Sequence, residues 1–143
     1  GVDPMLDRFD AEVLSGVLER TTRGIKTVLM DQHCVAGLGN IYSDEVLHRA
    51  GIRFDRPAAG LGRRRIERLA AAIVETLTEA IAAGGSTLGD AQYVDLSGRP
   101  GGFQEQHRVY GLEGRICRTC DRSAIVRVKV GGRFRFFRPS CQK

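Results

Sequence analysis

The sequence predicts a mainly α-helical chain that ends in a β-hairpin. Three observations carry this. Apolar residues recur at helical spacing in four segments between Asp10 and Ala83. Residues 125–137 alternate between apolar and basic around Gly131-Gly132, with an apolar pair at either end, the pattern of two short strands and a turn. Charge also shifts along the chain: residues 1–98 hold 11 lysines and arginines against 14 acids, whereas residues 99–143 hold 11 against 3.

Gly1 to Leu6 reads as a lead-in that is extended before Pro4. Asp10 is placed to cap a first helix carrying Val13, Leu14, Val17 and Leu18. Gly24 breaks that pattern, and Ile25 to Gln32 reads as a second helix. Ile41 to Ala50 reads as a third, with Ile41, Val46, Leu47 and Ala50 forming one apolar face. Between the two lies Gly37-Leu38-Gly39-Asn40. Two glycines permit positive φ and close approach of backbone to something outside. Asn40 stands at the N-cap position, and Asp44 and Glu45 put acid in the opening turns. Two readings are open: a tight corner where glycine relieves crowding, or an anion site at a helix start that fits a phosphate. Cys34 reads as a small packing residue and His33 as a surface residue.

Gly51 to Pro57 is a turn and loop. A long helix runs from about Gly62 to Ala83, its buried stripe Ile66, Leu69, Ala70, Ile73, Leu77 and Ile81. Arg63, Arg64, Arg65 and Arg68 crowd its first turns, where basic residues oppose the helix dipole. A solvated face offset by Glu67 explains them more simply than a nearby phosphate. Residues 86–106, anchored by Tyr93 and Phe103, form a long glycine-rich loop, the kind that is functional or mobile.

In the hairpin, a loop of Gly131-Gly132-Arg133 would pair Val130 with Phe134 and Val128 with Phe136, keeping one apolar face intact. That register sets Lys129 beside Arg135 on the other face, a repulsion an anion would relieve, and leaves Arg133 projecting from the tip. Before the hairpin comes Cys117-Arg118-Thr119-Cys120, and Cys141 follows it. This is the spacing of a zinc ribbon.

The chain has 143 residues, 42% apolar, enough for one domain or two small ones. It holds no run of eighteen apolar residues and no export leader. Four cysteines do not suggest a secreted disulfide framework, so a reducing cytoplasm, with no membrane partner, is expected. The basic last third points to a polyanion, most simply nucleic acid.

Lys26 to Gln32 followed by Val35 to Leu47 closely resembles the helix–two-turn–helix segment of the formamidopyrimidine-DNA glycosylase and endonuclease VIII family. Gly84-Gly85-Ser86-Thr87-Leu88 and Gly98 to Gln104 resemble it too. The resemblance implies a helical DNA-binding domain over residues 1–106, with Ser86 to Gly102 as a loop that closes over an extruded lesion. A zinc-ribbon-like finger would then occupy 107–143. It implies phosphate contact by Asn40 and by the amides around Gly37 and Gly39, with Lys26 near the lesion pocket. Tyr42, Lys129, Arg133 and Arg135 complete the expected DNA-binding set. The family finger closes with a second Cys-x-x-Cys. Here that stretch is Arg138-Pro139-Ser140-Cys141, and arginine cannot coordinate zinc. Cys117, Cys120 and Cys141 are therefore an incomplete set, which His107 or water would have to close, and a metal-free or weakly metallated finger is expected.

The family's chemistry rests on an N-terminal proline amine and an adjacent glutamate in a β-sandwich that precedes the helical region. Gly1-Val2-Asp3-Pro4 resembles the linker just before that region. The expectation is thus a monomeric, nucleoid-associated module that binds double-stranded DNA, including abasic or damaged duplexes, without sequence preference and without catalytic residues of its own. Two alternatives remain open. One is a DNA glycosylase or abasic-site lyase, as part of a longer enzyme or with Lys26 as its amine. The other is a protein-interaction module.

Overall fold

The computed structural model describes residues 1–84, 107–117, 119–120, 124–130, 132–139 and 141–142. The loop expected at 86–102, with Tyr93, lies outside them, as does Phe103. The described residues form α1 (Ala11–Leu18), α2 (Ile25–Met30), α3 (Asn40–Ala50), α4 (Arg63–Ala82), β1 (Val126–Val130) and β2 (Arg133–Phe137), with a 3-10 turn at Ala58–Gly60. This is the mainly helical chain with a C-terminal antiparallel hairpin that the sequence predicts.

Asp10 caps α1, its carboxylate accepting the Val13 N–H at 3.0 Å. α2 has no capping side chain. Instead the Ile25 and Lys26 N–H groups donate to the carbonyls of Arg56 and Phe54, at 2.8 and 3.1 Å. α2 stops at Met30, two residues before the expected end. Asp31 closes it, its carbonyl accepting from Cys34 and Val35 and its carboxylate from the His33 N–H.

α3 is the central element, packed against α2, α4 and β2. It is buried almost all round, including Asp44, Glu45 and His48, rather than along the single apolar face the spacing suggests. Gly39, not Asn40, occupies its N-cap position, and neither acid lies in its first turn. Gly51, at φ +72°, ends it in the left-handed region. α4 lays Ile66, Leu69, Ala70, Ile73 and Leu77 against the core as expected, but Ala80 completes the stripe. Ile81 is 67% exposed, the last turn having rotated it past the contact. Of the first-turn arginines, Arg63 pairs with Glu67 at 3.0 Å on the surface.

The hairpin adopts the shorter loop. Val130 pairs with Arg133, Lys129 with Phe134, Val128 with Arg135 and Arg127 with Phe136, which corrects the expected register by one residue. The argument for one intact apolar face fails because the last three residues of β2, Arg135 to Phe137, are buried on both sides of the strand. Phe136 enters a finger core with Val109, Cys117 and Ile125, while Phe137 enters the main core and meets Phe54 edge-on at 5.1 Å. β1 is mostly exposed, so no face of it needs protecting. The observed register brings Arg127 and Lys129 over the Phe134 ring, at 4.5 and 5.7 Å. Lys129 and Arg135 consequently do not sit side by side.

Candidate nucleic-acid interface

The corner between α2 and α3 is held by Gln32. Its amide oxygen accepts the Gly37 N–H at 2.9 Å, and its amide nitrogen donates to the Leu38 carbonyl at 2.8 Å. Gly37 has φ +95°, a conformation that favours glycine. Gly39 does not: its φ is −105°, and nothing lies within 4 Å of where a Cβ would stand. Of the two glycines, then, the first serves the turn and the second leaves open space. Gly39 has no side chain with which to cap α3; its carbonyl accepts the Ser43 N–H at 3.0 Å, and the N–H groups ahead of that one have no acceptor within the helix.

That open helix start faces a cavity of about 460 Å³, lined among others by Gly39, Asn40, Tyr42, Tyr110, Arg133 and Phe134. Asn40 donates from Nδ2 to the Tyr110 hydroxyl at 3.3 Å, while its Oδ1 is buried with no donor matched to it among the described residues. Arg133 is exposed and reaches the same cavity from the hairpin. The corner and the finger tip, far apart in sequence, therefore share one concave surface.

The other expected residues are placed differently. Lys129 lies above Phe134. Tyr42 is 3% exposed and belongs to the hydrophobic core, touching the cavity only as wall. Arg135 is 8% exposed, with Nη1 buried and unmatched among the described residues. Lys26 is 1% exposed, its ammonium 2.6 Å from Asp44 Oδ1 and 3.4 Å from the Phe134 carbonyl. Burial pulls Lys26 down to about 8, opposed by Asp44, and pushes Asp44 up to about 6, opposed by Lys26 and the Phe136 N–H.

α3 also positions the finger through side chains that sequence reasoning passed over. Glu45 accepts the N–H groups of Arg108, Val109 and Tyr110 at 2.6, 2.9 and 2.7 Å. Asp44 Oδ2 accepts the Phe136 N–H at 3.0 Å. His48 spans from Thr119 Oγ1, 2.9 Å, to Gln142 Oε1, 3.3 Å, and Gln142 donates to the Ile52 carbonyl at 2.9 Å. The available signal was the cluster Asp44-Glu45-His48 interleaved with the apolar residues Ile41, Val46, Leu47 and Ala50 that must be buried, since buried ionisable groups require partners.

In the finger, the sulfurs of Cys117, Cys120 and Cys141 lie within 4.8 Å of one another, those of Cys117 and Cys141 3.8 Å apart. Burial and the two neighbouring thiols push Cys141 up to about 12. His107, which the sequence offers as an alternative for the fourth corner, is not in this cluster; it lies buried, edge-on to Tyr110. Three corners of a tetrahedral site are thus present. Arg138, which by the family resemblance stands where a fourth ligand would, has a guanidinium with no lone pair to give.

Residues 1–92 match the family model for the formamidopyrimidine-DNA glycosylase H2TH domain. The chain belongs to this family. A formamidopyrimidine-DNA glycosylase of Shouchella clausii is 45% identical over 142 residues, covering 99% of this chain and 50% of that protein. The crystal structure of the MutM (Fpg) protein from Thermus thermophilus superposes with a TM-score of 0.90 at 43% identity, over 99% of this chain and 53% of that one. A Lactococcus lactis Fpg in complex with DNA containing an abasic site superposes with a TM-score of 0.88 at 37% identity, over 100% of this chain and 51% of that one. The chain spans about half the length of the glycosylases it matches. Among the described residues no helix is long and apolar enough to cross a membrane.

Proposed function

We propose that this chain is the DNA-gripping part of a base-excision-repair glycosylase of this family, binding duplex DNA through backbone phosphates without sequence preference and favouring abasic or distorted sites. The observation that carries the reading is the common cavity of Asn40 and Arg133, one at an open helix N-terminus and the other at the tip of a basic hairpin. Helix-start N–H groups and an amide side chain suit one phosphate, and an exposed guanidinium suits another. The Lactococcus lactis relative held in complex with abasic-site DNA makes such DNA the natural first ligand.

Lys26 is not the reactive amine in this reading, because it is enclosed and ion-paired with Asp44. The glycosylase and lyase chemistry is assigned to the part of the relatives that this sequence does not span. Anisotropy titration of an abasic-analogue duplex at several salt concentrations tests the binding. Micromolar or tighter affinity that falls steeply with salt is expected. Binding that is undetectable at low salt, or unchanged in both Asn40→Ala and Arg133→Ala, would leave the protein-interaction reading in its place. Borohydride treatment with an abasic duplex should trap no adduct. An adduct lost in Lys26→Met would restore Lys26 as a nucleophile.

A further inference from the structure

We propose that Phe134 is a stacking platform for an unpaired nucleobase, so that the finger offers the nucleic acid an aromatic contact as well as charge. This rests on the DNA-binding reading and refines it. Three observations meet at the ring. Phe134 lines the cavity that Asn40 and Arg133 share. It is 39% exposed, although Phe136 and Phe137, further along the same strand, are buried. The Arg127 guanidinium and the Lys129 ammonium lie over it, 4.5 and 5.7 Å from its centroid.

Other apolar side chains of the finger, Ile116, Val126 and Val130, are exposed as well, but none of them lines the cavity. Scattered apolar groups at a surface call for no ligand; Phe134 differs by its place. Packing fixes that place. Its ring lies 6.4 Å from that of Phe136, which lies 4.7 Å from that of Tyr110, and the Tyr110 hydroxyl accepts from Asn40. Ring contacts therefore run from Phe134 to the start of α3. Arg133 and the helix start suit phosphates, but a phenyl ring has no donor to give one. What it offers is a face, and every base has a face to match it. In an intact duplex the base faces are closed against one another. A base without a partner has already met most of the cost of leaving the stack, so the ring favours distorted sites over regular ones. Arg127 and Lys129 hold the ring through its quadrupole and set positive charge beside it, where the phosphates flanking such a base would run.

The test is anisotropy titration of the full chain with two duplexes, one carrying a single unpaired 5-iodouracil and one fully paired. The parent chain should prefer the first by about tenfold. That ratio should hold across a salt series, because stacking releases no counterions. Phe134→Leu should bring the ratio close to one and leave the salt slope unchanged, whereas Phe134→Trp should keep the ratio. Val130→Ala, exposed on the same hairpin but outside the cavity, should change neither quantity. Irradiation of the parent complex should crosslink the iodouracil to Phe134, located by mass spectrometry, a readout that needs no variant to fold. Equal affinity of the parent for the two duplexes, a ratio that survives Phe134→Leu, or crosslinking that bypasses Phe134 would each overturn the proposal and leave phosphate binding in place. A parent chain that binds neither duplex would overturn the DNA-binding reading and this proposal with it.

Discussion

Lys26 Nζ lies 2.6 Å from Asp44 Oδ1, with both side chains 1% exposed, and each partner reaches onward to the hairpin backbone. The downward shift of Lys26 and the upward shift of Asp44 have burial as their first cause, so the two ions are held together at a desolvation cost. Lys26→Met strands a buried carboxylate and should destabilise the fold by about 3–5 kcal/mol. Lys26→Met with Asp44→Leu removes both charges and should lose less, retaining the deficits of the Phe136 N–H and of the Phe134 carbonyl, which lose their side-chain partners. Denaturant unfolding of the four proteins in the cycle reads the difference. A single substitution milder than the double would contradict it.

Glu45 satisfies three successive backbone N–H groups at the start of the finger. Glu45→Gln keeps one acceptor oxygen and turns an NH2 group toward the amides. About 1–3 kcal/mol of stability should be lost. Hydrogen exchange at residues 108–110 should rise well above the rise in α4, because the change frees one segment rather than the whole molecule.

What the sequence made legible follows the physics of each element. α1 and α4 were readable because a cap or a long apolar period acts locally, as Asp10 and the Ile66–Leu77 stripe do. The resemblance of Lys26–Leu47 to a known segment brought Asn40 forward as a binding residue, the hairpin pattern brought Arg133, and the two do line one cavity. The hairpin register was misread because it depends on tertiary facts: Phe136 and Phe137 enter two different cores, and Phe134 gathers cations. Lys26, Tyr42 and Arg135 stand in the expected DNA-binding set, and only the packing around α3 shows that they are enclosed. The partners of Glu45 and His48 lie in the finger, at a sequence distance that no local pattern spans.

Asn40 and Arg133 should be separable by salt. Arg133→Ala removes one phosphate-neutralising charge, so the slope of log affinity against log salt should fall by about one. Asn40→Ala removes a neutral contact and should weaken binding by roughly tenfold with the slope unchanged. Anisotropy titrations across a salt series measure both quantities. Equal slopes for Arg133→Ala and the parent chain would remove Arg133 from the phosphate contacts.

His107 is pulled down from the usual 6.5 to about 4, first by burial. Its folded value is below its unfolded one, so the unfolded chain binds the extra proton between these limits. The stability it contributes is complete above about pH 6.5 and is lost as pH falls through that window, by at most about 3 kcal/mol. His107→Gln should therefore flatten the acid side of the stability profile. The ring resonances of His107 should titrate near pH 4 in NMR spectra of the folded protein. Titration near the ordinary histidine value would show that the ring is solvated.

Gly37 and Gly39 stand two residues apart and should fail in opposite ways. Gly37→Ala forces a side chain into φ +95° and should cost about 1–2 kcal/mol of stability. Gly39→Ala meets an ordinary φ and no neighbour within 4 Å, so its stability should fall by less than about 1 kcal/mol. Gly39, however, lines the cavity at the start of α3, and the added methyl group occupies space that is open there. If a phosphate seats there, losing its charge-assisted hydrogen bonds costs about 1.5–3 kcal/mol, a weakening of tenfold or more. Thermal unfolding and duplex titration of the two variants give the comparison. A Gly39→Ala protein that folds and binds like the parent chain would mean that the helix start faces water rather than DNA.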